Sequence, residues 1–272
     1  MSRIRLVLVV IAFLVLISCT PTPEKSIDGK SEVEKTGNIE SGEKERSVGI
    51  TVPSVSNGGG NLLRLWDDPP TLDPHLTTDA TSAEIIVEVF GGLVTIDMDL
   101  EIVPDLAKKW DISTDGKTYT FHLNGNARFH NGKLVTAEDF KWSIERAANP
   151  STQGPVVDVY LGDIVGVKSK LSADTRTVEG VRVIDDDTLE ITVDAPKAYF
   201  LAKLTYPTAF VVDRENVESG RRWFLTPNGT GPFKLDNYLP GESMILKRHD
   251  TYHLGAPLLE GVKFILTGGV AM

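Results

Sequence analysis

In Lys117-Thr118-Tyr119-Thr120-Phe121-His122-Leu123 polar and apolar side chains alternate from Thr118 onward. A period of two is the mark of a strand with one face buried and one wet. Asn124-Gly125 and Asn131-Gly132 are turn dipeptides that bracket the short segment Ala127-Arg128-Phe129-His130. Thr136-Ala137-Glu138-Asp139 then has the form of a helix cap, and Phe140, Ile144 and Ala147-Ala148 recur at the helical period behind it.

The same reading extends both ways. Towards the C-terminus, Thr177–Val183 and Thr188–Val193 alternate about Asp185-Asp186-Asp187 and predict a hairpin. Lys197–Leu204 reads as helix and Phe210–Val212 as a short strand. Gly231–Leu235 and Glu242–Arg248 read as a strand pair turning at Pro240-Gly241. Towards the N-terminus, Leu62–Trp66 is a strand stopped by Asp67-Asp68-Pro69-Pro70, because proline removes backbone donors. Leu72-Asp73-Pro74-His75 is a turn. Thr81 or Ser82 caps a helix that turns Ile85, Ile86, Val89 and Phe90 inward and ends at Gly91-Gly92. Pro104–Trp110 reads as a short helix. Strands and helices mix without regular βαβ alternation, so the fold class is α+β, a mixed α/β fold with largely antiparallel strands and flanking helices. Residues 61–272 are enough for one sizeable core.

The region before residue 61 is different in kind. Arg3 and Arg5 precede an unbroken apolar run, Leu6–Ile17. That run is shorter than the about 20 apolar residues a membrane span needs, and it has the length of a signal-peptide core. It ends in Leu16-Ile17-Ser18-Cys19, which resembles a bacterial lipobox, so residues 1–18 are expected to be a cleaved lipoprotein signal peptide and Cys19 the lipidated residue. Cys19 is the only cysteine, which excludes an internal disulfide. Residues 19–60, rich in Glu, Lys, Ser and Gly, lack the apolar surface to offset ordering entropy and are expected to be a disordered tether closing at Asn57-Gly58-Gly59-Gly60. About forty residues at ~5–6 Å × √n reach roughly 35 Å.

The net charge is −10, and removal of the two arginines of residues 1–18 takes it to −12. Nucleic-acid binding draws its affinity from Lys and Arg on phosphates, so this balance argues against it. No Ser lies in Gly-x-Ser-x-Gly, and the Gly triplet at residues 58–60 is followed by no Gly-Lys-Ser/Thr.

The segments Lys117–Leu123, Phe129–Lys133 and Leu134–Phe140 closely resemble the signature region of the family 5 extracellular solute-binding proteins, the dipeptide and oligopeptide receptors of ABC importers. Pro70-Thr71-Leu72-Asp73-Pro74-His75, Asn228-Gly229-Thr230-Gly231-Pro232-Phe233-Lys234-Leu235 and Leu246-Lys247-Arg248-His249-Asp250-Thr251-Tyr252 fall in the same order as in that family. The resemblance covers about Leu62 to Leu266. It implies the first lobe of a periplasmic-binding-protein type II clamshell over residues 61–272. Members are longer, their second lobe following the segment matching Gly261–Ile265, so the chain is expected to be a fragment lacking most of that lobe. The resemblance further implies a peptide or other small solute as ligand, ABC permease subunits as partners, an extracytoplasmic lipid-anchored location, a monomer, no cofactor and no enzymatic activity. It sets Trp66, Asp67 and Asp68 beside the ligand cleft, where a peptide backbone pairs, an acid meets a ligand cation and Trp66 packs side chains; a core Trp66 with two turn-capping acids is the competing reading.

Other readings keep the fold and bind nickel chelate, haem or a sugar, or take the chain as an inactive fragment. A different class, a secreted metal-dependent hydrolase, uses His122 and His130 with nearby acids such as Asp139, yet no HExxH spacing supports it. His249 and His253 are expected on the surface.

Overall fold

The computed structural model describes residues 59–267, so Cys19, the signal peptide and nearly all of the tether lie outside the described residues. The elements in order are β1 (Asn61–Asp67), α1 (Ala80–Val89), β2 (Val94–Ile96), β3 (Ile102–Pro104), β4 (Ala107–Ile112), β5 (Thr118–Leu123), α2 (Ala137–Ala147), α3 (Val157–Leu161), α4 (Val167–Leu171), β6 (Val181–Asp185), β7 (Thr188–Thr192), α5 (Phe200–Lys203), α6 (Arg214–Glu218), β8 (Phe233–Leu239), β9 (Ser243–Arg248) and β10 (Gly261–Thr267).

Two four-stranded sheets carry the fold, in the orders β4-β5-β7-β6 and β1-β10-β9-β8, with β2-β3 as a separate pair. Every pairing is antiparallel except β1 with β10, which runs parallel in the register Asn61↔Gly261 to Asp67↔Thr267. The buried apolar residues fall into two clusters, not the one core expected from length. One packs β5, β7 and α2 around Phe121, Phe129, Phe140 and Ile144. The other packs α1 against β8–β10 around Ile86, Phe90, Met244 and Phe264.

β5 is the centre of the first cluster: Tyr119, Phe121 and Leu123 are buried and the residues between them half-buried. α2 starts at a capping box in which the Thr136 side chain accepts from Asp139 N and the Asp139 side chain accepts from Thr136 N. The β6–β7 hairpin and the β8–β9 pair form where the turns predicted them. α1 is capped slightly earlier than expected, by Asp79, whose Oδ1 accepts from Ser82 N at 2.7 Å.

Three expectations are corrected. The segment read as a Pro104–Trp110 helix is the end of β3 and most of β4, because Ala107 and Trp110 pair with Leu123 and Phe121 of β5 and tertiary pairing outweighs local propensity. Phe210–Val212 is extended but joins no ladder; Val211 N donates to Gly91 O at 3.1 Å. His249 and the side chain of His253 are buried, not on the surface. His249 is 2 % exposed, and the His253 side chain meets Asp105 at 3.0 Å.

The histidines knit the two clusters together. His130 Nε2 and His249 Nδ1 both donate to Gly231 O, at 3.1 Å each, and their rings meet edge to face with centroids 5.0 Å apart. His130 Nδ1 is buried with no partner among the described residues. Burial pushes the His130 imidazole down to about 3, with His249 and Lys234 adding positive charge against protonation. His75, buried beside Arg146, is pushed down to about 4 by the same loss of solvent. A folded-state value below the unfolded value means the unfolded chain binds more protons. Stability is therefore full above the unfolded histidine value of about 6.5 and falls as pH drops towards 4, by roughly 1.4 kcal/mol per pH unit per histidine. Urea unfolding between pH 7 and pH 4.5 is expected to show this slope, and His130→Gln to flatten it. A profile unchanged by that substitution would mean His130 is not among the groups responsible.

Candidate ligand-binding face

β1 owes its strand form to Leu62, Arg64 and Trp66 facing α1 and Leu63, Leu65 and Asp67 facing away, the alternation a pleat imposes. It is the outermost strand of its sheet, and its free edge carries no strand among the described residues. Leu63 and Leu65 are 66 % and 71 % exposed.

The C-terminal end of β1 holds the three residues singled out from the sequence. Trp66 is clamped from two sides: its Nε1–H donates to Thr81 O at 3.2 Å, and its ring stands edge-on to Phe264 with centroids 6.4 Å apart. The Arg64 guanidinium lies over the same indole, 4.6 Å from the centroid. Asp67 is exposed, and its Oδ1 accepts from Thr267 Oγ1 at 2.8 Å. Leu65, Trp66, Asp67 and Thr267 enclose an open hollow of about 220 Å³. Asp68 has a different task. Its Oδ1 accepts from the Tyr238 hydroxyl and its Oδ2 from Gly241 N, each at 2.7 Å, so both oxygens are tied to the β8–β9 turn. Burial and the Asp68 carboxylate beside it push the Tyr238 phenol well above its usual range, which keeps the donor protonated.

Trp66 and Asp67 thus meet at one hollow, while Asp68 locks the strand end in place. The locking partner, Tyr238, was not legible in the sequence, because it stands 170 positions away. His122 pairs with Asp111 across β4 and β5 at 2.8 Å on the open face of that sheet, whereas His130 is half-buried against Gly231. Among the described residues no three His, Cys, Asp or Glu side chains are grouped closely enough to hold a metal ion. None of the described helices is long and apolar enough to cross a membrane.

Residues 101–268 match the family described as bacterial extracellular solute-binding proteins, family 5 middle. The chain belongs to that family. Among its curated relatives, the dipeptide-binding protein of Bacillus subtilis is 30% identical over 224 residues, which is 80% of this chain and 39% of the relative. The periplasmic oligopeptide-binding protein of Escherichia coli is 33% identical over 187 residues, 67% of this chain and 34% of the relative. The structure of a periplasmic oligopeptide-binding protein of Borrelia burgdorferi superposes with a TM-score of 0.73 at 31% identity, covering 77% of this chain and 43% of that one. The fold of this family 5 chain is that of a type II periplasmic binding protein, mixed α/β with mainly antiparallel sheets, as the sequence implied. It spans about two fifths of the length of these relatives.

Proposed function

We propose that the chain is the solute-binding lipoprotein of an ABC importer for peptides: it captures a peptide outside the cytoplasm and delivers it to permease subunits. The observation that carries this reading is the family 5 match over residues 101–268, supported by relatives named for dipeptide and oligopeptide binding. In this reading residues 1–18 are a signal peptide, lipid on Cys19 holds the chain at the membrane, and residues 19–60 lift the binding part, residues 61–272, away from it. The protein acts as a monomer and makes and breaks no covalent bonds. Its step is a hinge equilibrium that ligand biases through contacts made only in the closed form.

At the open end of β1, Asp67 offers a carboxylate to a ligand cation and Trp66 offers an apolar wall, while the free strand edge suits an extended peptide backbone. The test is calorimetric titration with a di- to pentapeptide mixture. Saturable binding near micromolar, about 8 kcal/mol, weakened about tenfold for lysine-containing peptides by Asp67→Asn, supports the assignment. Titrations that stay flat with the chain, and flat again after it is joined to the remaining length of a family 5 relative, would sink it.

A further inference from the structure

On the side of β1 that faces α1 lies a second cavity of about 220 Å³, more enclosed than the hollow at the strand end. Trp66, Phe264, Phe233 and Ile85 form apolar walls, and Leu62 and Val87 stand half open at its mouth. Three charged side chains converge on it. The Arg64 guanidinium lies over Trp66 at 4.6 Å and 5.9 Å from the Phe264 ring, with Glu84 at 3.8 Å. The third is Glu88, in the last turn of α1, which among the described residues has no hydrogen bond or ion pair of its own. Burial pushes the Glu88 carboxyl up, and the Arg64 charge offsets this only in part.

Two carboxylates face one guanidinium here, and the C-terminal end of α1 adds the negative pole of its dipole. A cation entering the cavity gains a partner in Glu88 and relieves a desolvated charge, while an anion meets a net negative site. Pockets for drug-sized ligands run from about 300 Å³ upward, so this smaller space suits one ring and a short chain. We propose that the cavity between β1 and α1 is a binding site for a small organic cation with an aromatic or branched apolar body, its ammonium group on Glu88 and its body against Trp66 and Phe264. This site is separate from the hollow at the end of β1 and does not depend on the peptide reading, although Trp66 borders both.

The test uses phenethylamine and its neutral analogue 2-phenylethanol, titrated into the purified chain and followed by calorimetry and NMR shifts. Saturable phenethylamine binding with a Kd of roughly 1 mM or tighter is expected for so small a ligand. Glu88→Gln is expected to weaken phenethylamine at least tenfold while leaving 2-phenylethanol unchanged. Val87→Trp, at an exposed position on the mouth, is expected to abolish binding of both. No saturable binding, or phenethylamine binding indifferent to Glu88→Gln, overturns the proposal. Asp67→Asn, the variant that tests the peptide hollow, is expected to have no effect on phenethylamine, so the two assignments fail separately.

Discussion

Gly229→Ala is expected to cost about 3 kcal/mol of stability, because the added methyl group has nowhere to go. A Cβ at this position stands 1.9 Å from Val89 O and 2.9 Å from the carbon that bears it. Both are backbone atoms at the end of α1. That oxygen is also pinned, since it accepts from Gly231 N at 2.9 Å, and Gly229 O in turn accepts from His130 N at 2.8 Å. Relief requires the 228–231 segment to lift off α1, which opens the junction between the two cores. Thermal unfolding is the measurement, with a fall of roughly 6–12 °C expected for a domain of this size. Gly125→Ala is the control. It too follows an asparagine, yet its nearest neighbour is Asp187 Oδ2 at 3.9 Å, an ordinary contact. If Gly229→Ala melts within a degree or two of Gly125→Ala, the close approach of 228–231 to α1 is wrong.

Arg146→Met is expected to cost more, about 3–5 kcal/mol, as the loss of one partner of a buried ion pair does. Arg146 on α2 binds Asp73 through both ends of its guanidinium, at 3.0 and 2.6 Å. The Asp73 side chain is only 2% exposed and that of Arg146 13%. Arg146 Nη1 also donates to His75 Nδ1 at 2.7 Å, which leaves the His75 Nε2–H free to donate to Phe210 O at 3.1 Å. The guanidinium stacks over Trp223, 5.3 Å from the ring centre. With methionine in its place, Asp73 keeps one hydrogen bond, from His75 N, and stays buried with no counter-charge. Adding Asp73→Asn to Arg146→Met removes that charge. The double variant is therefore expected to recover at least 1.5 kcal/mol relative to the sum of the single losses, as directly contacting pairs do. Strict additivity in urea unfolding would show that the pair is not coupled.

These two sites also mark where the sequence stopped being readable. Alternation in Lys117–Leu123, the Thr136–Asp139 cap and the turns at Asp185–Asp187 and Pro240-Gly241 are local, settled by neighbours within a few positions, and each is present as read. Leu72-Asp73-Pro74-His75 was legible as a turn, but its ion pair was not, since Arg146 lies 73 positions on. The same limit explains the Pro104–Trp110 segment, whose Lys-Lys-Trp run favours helix until β5 lies beside it. It explains His249 and His253 as well: a pair four apart in a loop rich in Gly and Pro looks exposed, and only the arrival of Gly231 O and Asp105 makes it buried. At the proposed ligand face, Trp66 and Asp67 were singled out through the family resemblance, and the structure sets both at one hollow. The separate duty of Asp68 waited on Tyr238 and Gly241, which the sequence places far away.

The parallel ladder of β1 on β10 also sets an order of events. Among the described strands β1 is synthesised first and β10 last, with 200 residues between paired positions. At a synthesis rate of about 5–20 residues per second, Leu62, Leu63, Leu65 and Trp66 wait roughly 10–40 s for their partner. The sheet that ends in β1 is thus closed only once nearly the whole described chain is available, whereas the β4-β5-β7-β6 sheet, complete by Thr192, has all its strands well before then.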